Sequence, residues 1–314
     1  MRLINSPINQ FNYQQRTFYV KRDDLLDPQF SGNKARKLAY YLENPLPHID
    51  TLISYGGSQS NLMYSLSCLA KLRQWNFIYY IKILSTQARN ETSGNLAQSL
   101  QNGMQLIELK NDYNSFCANI TNTKEKNQLL IQQGGAQIES EYGMQQLADE
   151  IRLWAQQQNF QQLAIFIASG TGTSALYLQK HLPDFEVYTT NCVGNPEYLL
   201  KQFEALITTK QRIPHVLAND MYRFATPYAE LYQTITDIQN TSQIEFDMVY
   251  DPVGWDILLR NINKISAPIL YLHCGGINGN NTMLQRYKKI QLLKLDFFLV
   301  ELIDIKLKNR SILS

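Results

Sequence analysis

The chain has 314 residues, 44% hydrophobic and 18% charged, a globular composition long enough for one or two buried cores. Its net charge of +2 gives no electrostatic case for nucleic acid or an anionic membrane surface as a partner. Cys68, Cys117, Cys192 and Cys274 lie far apart with no Cys-x-x-Cys, so neither a disulfide framework nor a metal site is expected, and a reducing, cytoplasmic setting is. Residues 1–20 lack the apolar run of a secretory leader, and no window approaches the roughly 18 apolar residues of a membrane span.

Thr17–Val20 reads as a short strand. Asp23 and Asp24 follow it and are expected to pair with Arg22 or Arg36. In Ser31-Gly32-Asn33-Lys34-Ala35-Arg36-Lys37-Leu38, the apolar residues Ala35, Leu38, Ala39 and Leu42 recur at helical spacing. Ser31 or Asn33 is the expected N-cap. Lys34 then stands in the first turn, where the positive end of the helix dipole loosens its hold on a proton. An easily deprotonated lysine is what Schiff-base chemistry needs.

Thr51–Tyr55 reads as a buried strand ending in Gly56-Gly57-Ser58-Gln59-Ser60-Asn61. A helix with Leu62, Leu66, Leu69 and Ala70 on one face follows. Phe77–Leu84 and Met104–Leu109 are strands, with a helix from Gly94 between them. Residues 111–133 read as loop with one weak helix, and Gly143–Gln157 as a strong helix. Leu163–Ala168 is a wholly apolar strand that stops at Ser169-Gly170-Thr171-Gly172-Thr173-Ser174. Glu186–Val193, Glu245–Tyr250 and Ala267–His273 are further strands, and Asn195-Pro196 caps a helix. Asp251–Gly254 and Cys274–Gly276 read as turns, and the tail from Ile290 as a terminal strand or helix. This alternation of strands and helices is the signature of a parallel α/β fold.

Loops at the carboxyl ends of parallel strands gather where ligands bind. The Ser169–Ser174 turn combines glycines, hydroxyls and a helix start, the ingredients of an anion cup. It lacks both the Gly-Lys-[Ser/Thr] of a nucleotide-binding loop and a GxGxxG. A phosphate cup together with a helix-mouth lysine suits pyridoxal phosphate, with Asn61 as the donor to its phenolic oxygen.

These pieces carry a resemblance. Lys21–Leu25, Ser31–Leu38, Gly57–Asn61, Gly94-Asn95-Leu96, Gly134-Gly135, Ser169–Ser174, Tyr250-Asp251-Pro252 and His273–Gly276 occur in the order found in one family. The chain resembles the 1-aminocyclopropane-1-carboxylate deaminase / D-cysteine desulfhydrase family of pyridoxal phosphate enzymes, up to about residue 283. The resemblance implies an α/β fold of two open twisted sheets flanked by helices, like the tryptophan synthase β-subunit. Residues 1–40 and 151–314 would form the larger domain and 41–150 a smaller inserted one. Lys34 would bind the cofactor's aldehyde and later carry the substrate proton. Lys37 would reach the phosphate, Asn61 the phenolic oxygen, and Ser60 the substrate carboxylate. Gly170, Thr171, Gly172 and Thr173 would cup the phosphate. A small amino acid would be deaminated to a 2-oxo acid and ammonia, as a lyase or hydrolase reaction, by a cytoplasmic homodimer.

Departures stand beside the matches. The family's Asp-Pro-Val-Tyr tyrosine is Gly254 here, and its next position, which supplies a partner to the ring nitrogen, is Trp255. The group facing that nitrogen is left among Trp255, Asp256 and Cys274. Leu62 and Cys274 also replace the family's usual residues. The alternative to an active enzyme is a catalytically feeble cofactor carrier or regulator.

Overall fold

The computed structural model describes residues 1–290 apart from Ser31, Glu91 and Asn111. The expected Ser31 cap, and the expected terminal element beyond Ile290, therefore lie outside the described residues. In chain order the elements are β1 (Ile8–Tyr13), β2 (Arg16–Lys21), α1 (Asn33–Glu43), β3 (Thr51–Tyr55), α2 (Asn61–Arg73), β4 (Asn76–Lys82), α3 (Thr86–Arg89), α4 (Gly94–Gln101), β5 (Met104–Leu109), α5 (Tyr113–Thr123), β6 (Gln128–Ile131), α6 (Ser140–Gln157), β7 (Ala164–Ser169), α7 (Thr173–His181), β8 (Glu186–Asn191), α8 (Pro196–Leu206), β9 (His215–Val216), α9 (Ala229–Ser242), α10 (Asp251–Arg260) and β10 (Ile269–Leu272). Residues 280–290 are also helical.

Two sheets form, ordered β1-β2-β10-β7-β8-β9 and β5-β4-β3-β6. Among the described residues only the β1–β2 pair is antiparallel; every other pairing is parallel. Parallel sheets are covered on both faces, which is why their central strands are continuously apolar. β7 is buried along its whole length. Met144, Leu147 and Ile151 of α6 pack over one face of it, and Trp255 and Leu258 of α10 over the other. In the second sheet, α1, α2 and α4 cover one face and α5 the other.

Helix α1 belongs to both halves of this arrangement. Its Leu38, Tyr41 and Leu42 share a core with Leu52 and Leu66 of the four-stranded unit. Its opposite side lies against α6, so the seam expected between residues 40 and 41 falls inside a continuous helix. A Cβ on Gly143 would sit 2.0 Å from the Arg36 carbonyl oxygen and 2.8 Å from Ala39 Cβ. Only glycine permits that approach.

The structure departs from the sequence reading at several points, and it adds α9 and β9, which the sequence reading did not name. β1 went unread because its turn, Gln14-Gln15, takes positive φ at both residues without the Asn-Gly or Asp-Gly that normally marks such a hairpin. Residues 111–133 hold both α5 and the four-residue β6. Glu245–Tyr250 is not a strand, because side chains bond its backbone instead of a neighbouring strand. Asn280 Oδ1 accepts from Met248 N–H, Asp251 Oδ2 from Asp247 N–H, and Asp247 Oδ1 from the N–H groups of Val249 and Tyr250. Asp251–Gly254, read as a turn, is the first turn of α10, with Pro252 at a position where a missing N–H costs nothing.

The α1–α6 contact makes a test of this packing. Gly143→Ala must spread the two helices and is expected to cost about 1–3 kcal/mol, read as a lower urea midpoint in equilibrium unfolding.

Candidate active site

Several strand ends deliver their loops to one cavity of about 470 Å³. The loops after β3, β7 and β10 supply parts of its wall, and the start of α1 supplies another. Lys34, Lys37, Ser60, Asn61, Gly170, Thr171 and Cys274 all line it. Seven of the nine residues singled out from the sequence therefore meet in one place, although they come from four separate stretches of chain. Gly172 and Thr173 stand behind the wall. Gly172 is the N-cap of α7 at φ +71°, and Thr173 is buried with its hydroxyl 2.9 Å from that of Thr171.

Lys34 is placed by a close backbone crossing. The N-cap of α1 is Gly32, not Ser31 or Asn33, at φ +64°. A Cβ there would overlap the Cys274 carbonyl oxygen at 1.9 Å, and Asn33 N–H donates to that same oxygen at 3.2 Å. The start of α1 is thus fastened to the end of β10. Lys34 Nζ donates to Asn33 Oδ1. Burial lowers the Lys34 pKa, against the opposing pull of Cys274, Asp247 and Asp251. Lys37, one turn on, is buried and donates to the Gly134 carbonyl oxygen at 2.7 Å. Burial, and then the neighbouring Lys34, bring its pKa down to about 7.

Ser60 is the N-cap of α2, its hydroxyl accepting from Met63 N–H at 3.3 Å. Asn61 follows at the first position of that helix. Its Oδ1 accepts from Asn95 Nδ2 at 2.7 Å, which fixes the amide, while its Nδ2 makes only a long 3.4 Å contact to Asp247. The N-termini of α1 and α2 open on the cavity, and α7 begins just behind Gly170-Thr171. Each carries partial positive charge, so the cavity favours anionic groups. Ser174 Oγ, in the first turn of α7, is buried with no hydrogen-bond partner, an unspent donor beside the expected anion cup.

The residues considered for the ring nitrogen are resolved differently from one another. Trp255 does not line the cavity. It is fully buried, stacked on Tyr271 at 4.1 Å and edged by Phe18 and Phe246. Asp256 accepts from Tyr222 and Arg260, also away from the cavity. Cys274 does line it; burial pushes its thiol well up, so it stays protonated. Gly254 has no room for a larger residue, since a Cβ there would meet the Tyr271 hydroxyl at 2.7 Å and Ala168 at 3.1 Å.

Sequence reasoning missed Asp247 and Tyr250, both on the cavity wall. The signal was present. Asp247-Met248-Val249-Tyr250 has the Asp-x-Val-Tyr spacing sought at Asp251–Gly254, four residues earlier. Burial raises Tyr250 far above the ordinary phenol range, so it keeps its proton. Burial also raises Asp247 and Asp251. Asp251 stands at the position after Tyr250 and accepts from Tyr271 at 2.7 Å. The paired acids Asp23 and Asp24 bond Arg36 and Arg22, as expected.

No protein-family model matches the chain. It is 26% identical over 290 residues to a D-cysteine desulfhydrase of Serratia proteamaculans, covering 84% of this chain and 88% of the relative. It is 21% identical over 310 residues to the mitochondrial bifunctional D-cysteine desulfhydrase/1-aminocyclopropane-1-carboxylate deaminase of Arabidopsis thaliana, covering 87% and 77%. Among solved structures, an ACC deaminase homologue superposes with a TM-score of 0.72 at 22% identity over 91% of this chain and 95% of the other. A diaminopropionate ammonia lyase of Escherichia coli gives 0.61 at 13% identity, over 90% and 85%. The resemblance read from the motifs and the two-sheet fold it implied are both borne out.

The depressed Lys37 pKa sets a pH dependence. In the unfolded chain its amine holds a proton up to about pH 10.5, but in the folded chain only to about 7. Between these values the unfolded state binds more protons, so stability rises with pH across that window, by on the order of a few kcal/mol. Lys37→Met is expected to flatten this rise in urea midpoints measured from pH 6.5 to 9.5 without phosphate compounds present, and to raise the midpoint at pH 7.

Proposed function

We propose that this enzyme is a pyridoxal phosphate-dependent lyase acting on a small amino acid, by β-elimination from D-cysteine or a similar substrate, or by opening of the aminocyclopropane ring. The convergence of Lys34, Asn61 and the Gly170-Thr171 turn on one cavity carries this reading. The donor set fits the cofactor: a low-pKa amine, a fixed amide with a free N–H, and a helix start with an unspent hydroxyl. The named relatives support the same class of chemistry.

The cofactor, when bound, supplies a sink for the electron pair left as the substrate's α-hydrogen departs. The remaining steps belong to the chain. Thr171, the turn at Gly170 and Lys37 hold the phosphate, with Gly172 and Thr173 shaping the turn from behind. Asn61, fixed by Asn95, donates to the phenolic oxygen. Ser60 and the backbone at the start of α2 hold the substrate carboxylate. Lys34 Nζ, its hold on a proton weakened by burial, takes the proton from Cα. Tyr250, protonated at rest, would give its phenolic proton to the departing sulfur and regain one afterwards. Cys274 packs at the wall as a neutral thiol. With Tyr250 in the tyrosine role and Asp251 after it, the departures at Gly254 and Trp255 no longer favour a feeble carrier over an enzyme.

The reaction class is a lyase. The hydrolase class given as an alternative is set aside, because the Cβ–S bond breaks by elimination and water enters only afterwards. Structural neighbours named as ammonia lyases share this fold. The larger domain (1–40 and 151–314), the inserted one (41–150) and a cytoplasmic homodimer remain part of this proposal.

Two variants test it. Wild-type protein with added pyridoxal phosphate is expected to show a visible absorption band that borohydride removes, and Lys34→Ala to show none. Tyr250→Phe is expected to keep the band and lower kcat on D-cysteine by on the order of a hundredfold. A wild-type protein that stays colourless overturns the reading.

A further inference from the structure

The wall of the cavity carries four charged side chains: Lys34, Lys37, Asp247 and Arg286. The first three have work inside it. Lys34 and Lys37 serve the reading above, and Asp247 is held by the N–H groups of Val249 and Tyr250. Arg286 is different. It is exposed at the mouth, and its one hydrogen bond among the described residues goes to Met283 Sδ at 3.5 Å. No carboxylate among the described residues lies within ion-pair distance of it.

Thr282 gives an independent observation on the same helix. It stands four residues before Arg286, hence on the same face, and lines the same cavity. Its Oγ1 is buried with no hydrogen-bond partner. A buried hydroxyl left unpaired costs free energy unless a ligand answers it. Gly94 lies close to that hydroxyl, since a Cβ there would be 3.3 Å from Thr282 Oγ1 and 2.9 Å from Gln59 Oε1. Thr282 is therefore beside the loop that leads to Ser60 and Asn61. Met283, which also lines the cavity, and Tyr287 are buried and seat the helix. An unspent hydroxyl lies inside and an unspent guanidinium one turn further out.

We infer that Thr282 and Arg286 form a subsite for an anionic group on the substrate's side chain, so that the preferred substrates are β-substituted amino acids whose leaving group ends in a carboxylate or similar anion. This rests on the lyase reading above and adds the substrate class to it. Ser60 and the start of α2 hold the α-carboxylate, and the second anion reaches the mouth. The planar guanidinium suits a carboxylate through two parallel N–H bonds. Leu62, buried on the wall beside Asn61, offers no polar contact of its own.

A matched pair of compounds isolates the charge. Racemic S-carboxymethylcysteine and its neutral isostere S-carbamoylmethylcysteine have nearly the same size. With S-carboxymethylcysteine, the Cα proton leaves, the Cβ–S bond breaks with both electrons going to sulfur, and the thiolate takes a proton. One water then completes the balance to mercaptoacetate, pyruvate and ammonia. The wild type is expected to favour the charged compound by about tenfold in kcat/KM, mainly through KM, and by a similar ratio in Kd from calorimetry. Arg286→Gln should bring both ratios close to one, Arg286→Lys should restore part of them, and Thr282→Val should lower them. Equal constants for the two compounds in the wild type, or a preference that survives Arg286→Gln, overturn the inference. If neither a cysteine compound nor aminocyclopropane carboxylate is turned over, the lyase reading fails, and the Kd ratios alone then decide the subsite.

Discussion

The Arg36 guanidinium is buried between two carboxylates, and the placement of the two cavity lysines depends on it. It donates to Asp23 at 2.8 Å and to Glu150 at 2.6 Å, while Lys21 meets the other Glu150 oxygen at 2.7 Å. Burial pushes both acids up, but Arg36 and Lys21 together, with the Ser6 hydroxyl at Asp23, hold them below their ordinary range. The four charges cancel. In a buried cluster the loss of hydration offsets much of the mutual attraction, so such a quartet adds little net stability. What it fixes is position. Asp23 follows β2, Glu150 lies on α6, and Arg36 sits between Lys34 and Lys37 on α1. The cluster sets the rotation of α1, and with it the direction of two amines that leave the helix on its other side.

That rotation matters because the cavity works through the state of its amines. A lysine in water near pH 7 is charged and cannot accept a proton. Here desolvation is the largest influence on both Lys34 and Lys37, and Lys34 further disfavours charge on Lys37. Helix N-termini nearby add positive potential that acts in the same direction. The same potential favours a phosphate and a carboxylate. One electrostatic arrangement thus favours anions and weakens the lysines' hold on their protons. The phenol of Tyr250 is tuned oppositely, since burial, with Asp247 beside it, keeps its proton in place. A base and an acid in one cavity come from burying a cation-forming group and an anion-forming group together.

Much of this was legible in the chain. β3, β7 and β10 are apolar runs that end in glycine-rich turns, and those turns proved to be walls of one cavity. Lys34, Asn61 and Thr171 sit in short motifs of distinctive residues, and all three line the cavity. What stayed hidden was set by partners distant in sequence. β1 has no turn signature and pairs because Phe11 packs on Phe18 and Trp255. Thr282 and Arg286 belong to an ordinary polar helix face until the loop after β3 is folded against it. Gly143 looks like a flaw in a helix until Arg36 is seen across from it.

The stretch from Asp247 to Trp255 shows why spacing alone misleads. It contains an Asp-x-Val motif twice, at Asp247-Met248-Val249 and at Asp251-Pro252-Val253, and the second has the proline. Matched on proline, the tyrosine seems lost. The chain resolves the ambiguity by where its helix begins. Asp251 opens α10, Pro252 occupies a first-turn position, and everything after it turns into the core, where Tyr271 and Ala168 leave Gly254 no space and Trp255 fills the gap between aromatic rings. Tyr250 is the last residue before that turn and stays at the cavity. The helix start decides which copy of the motif faces the cavity, and a helix start is a property of backbone bonding, here supplied by Asn280, Asp247 and Asp251, that a linear motif does not record.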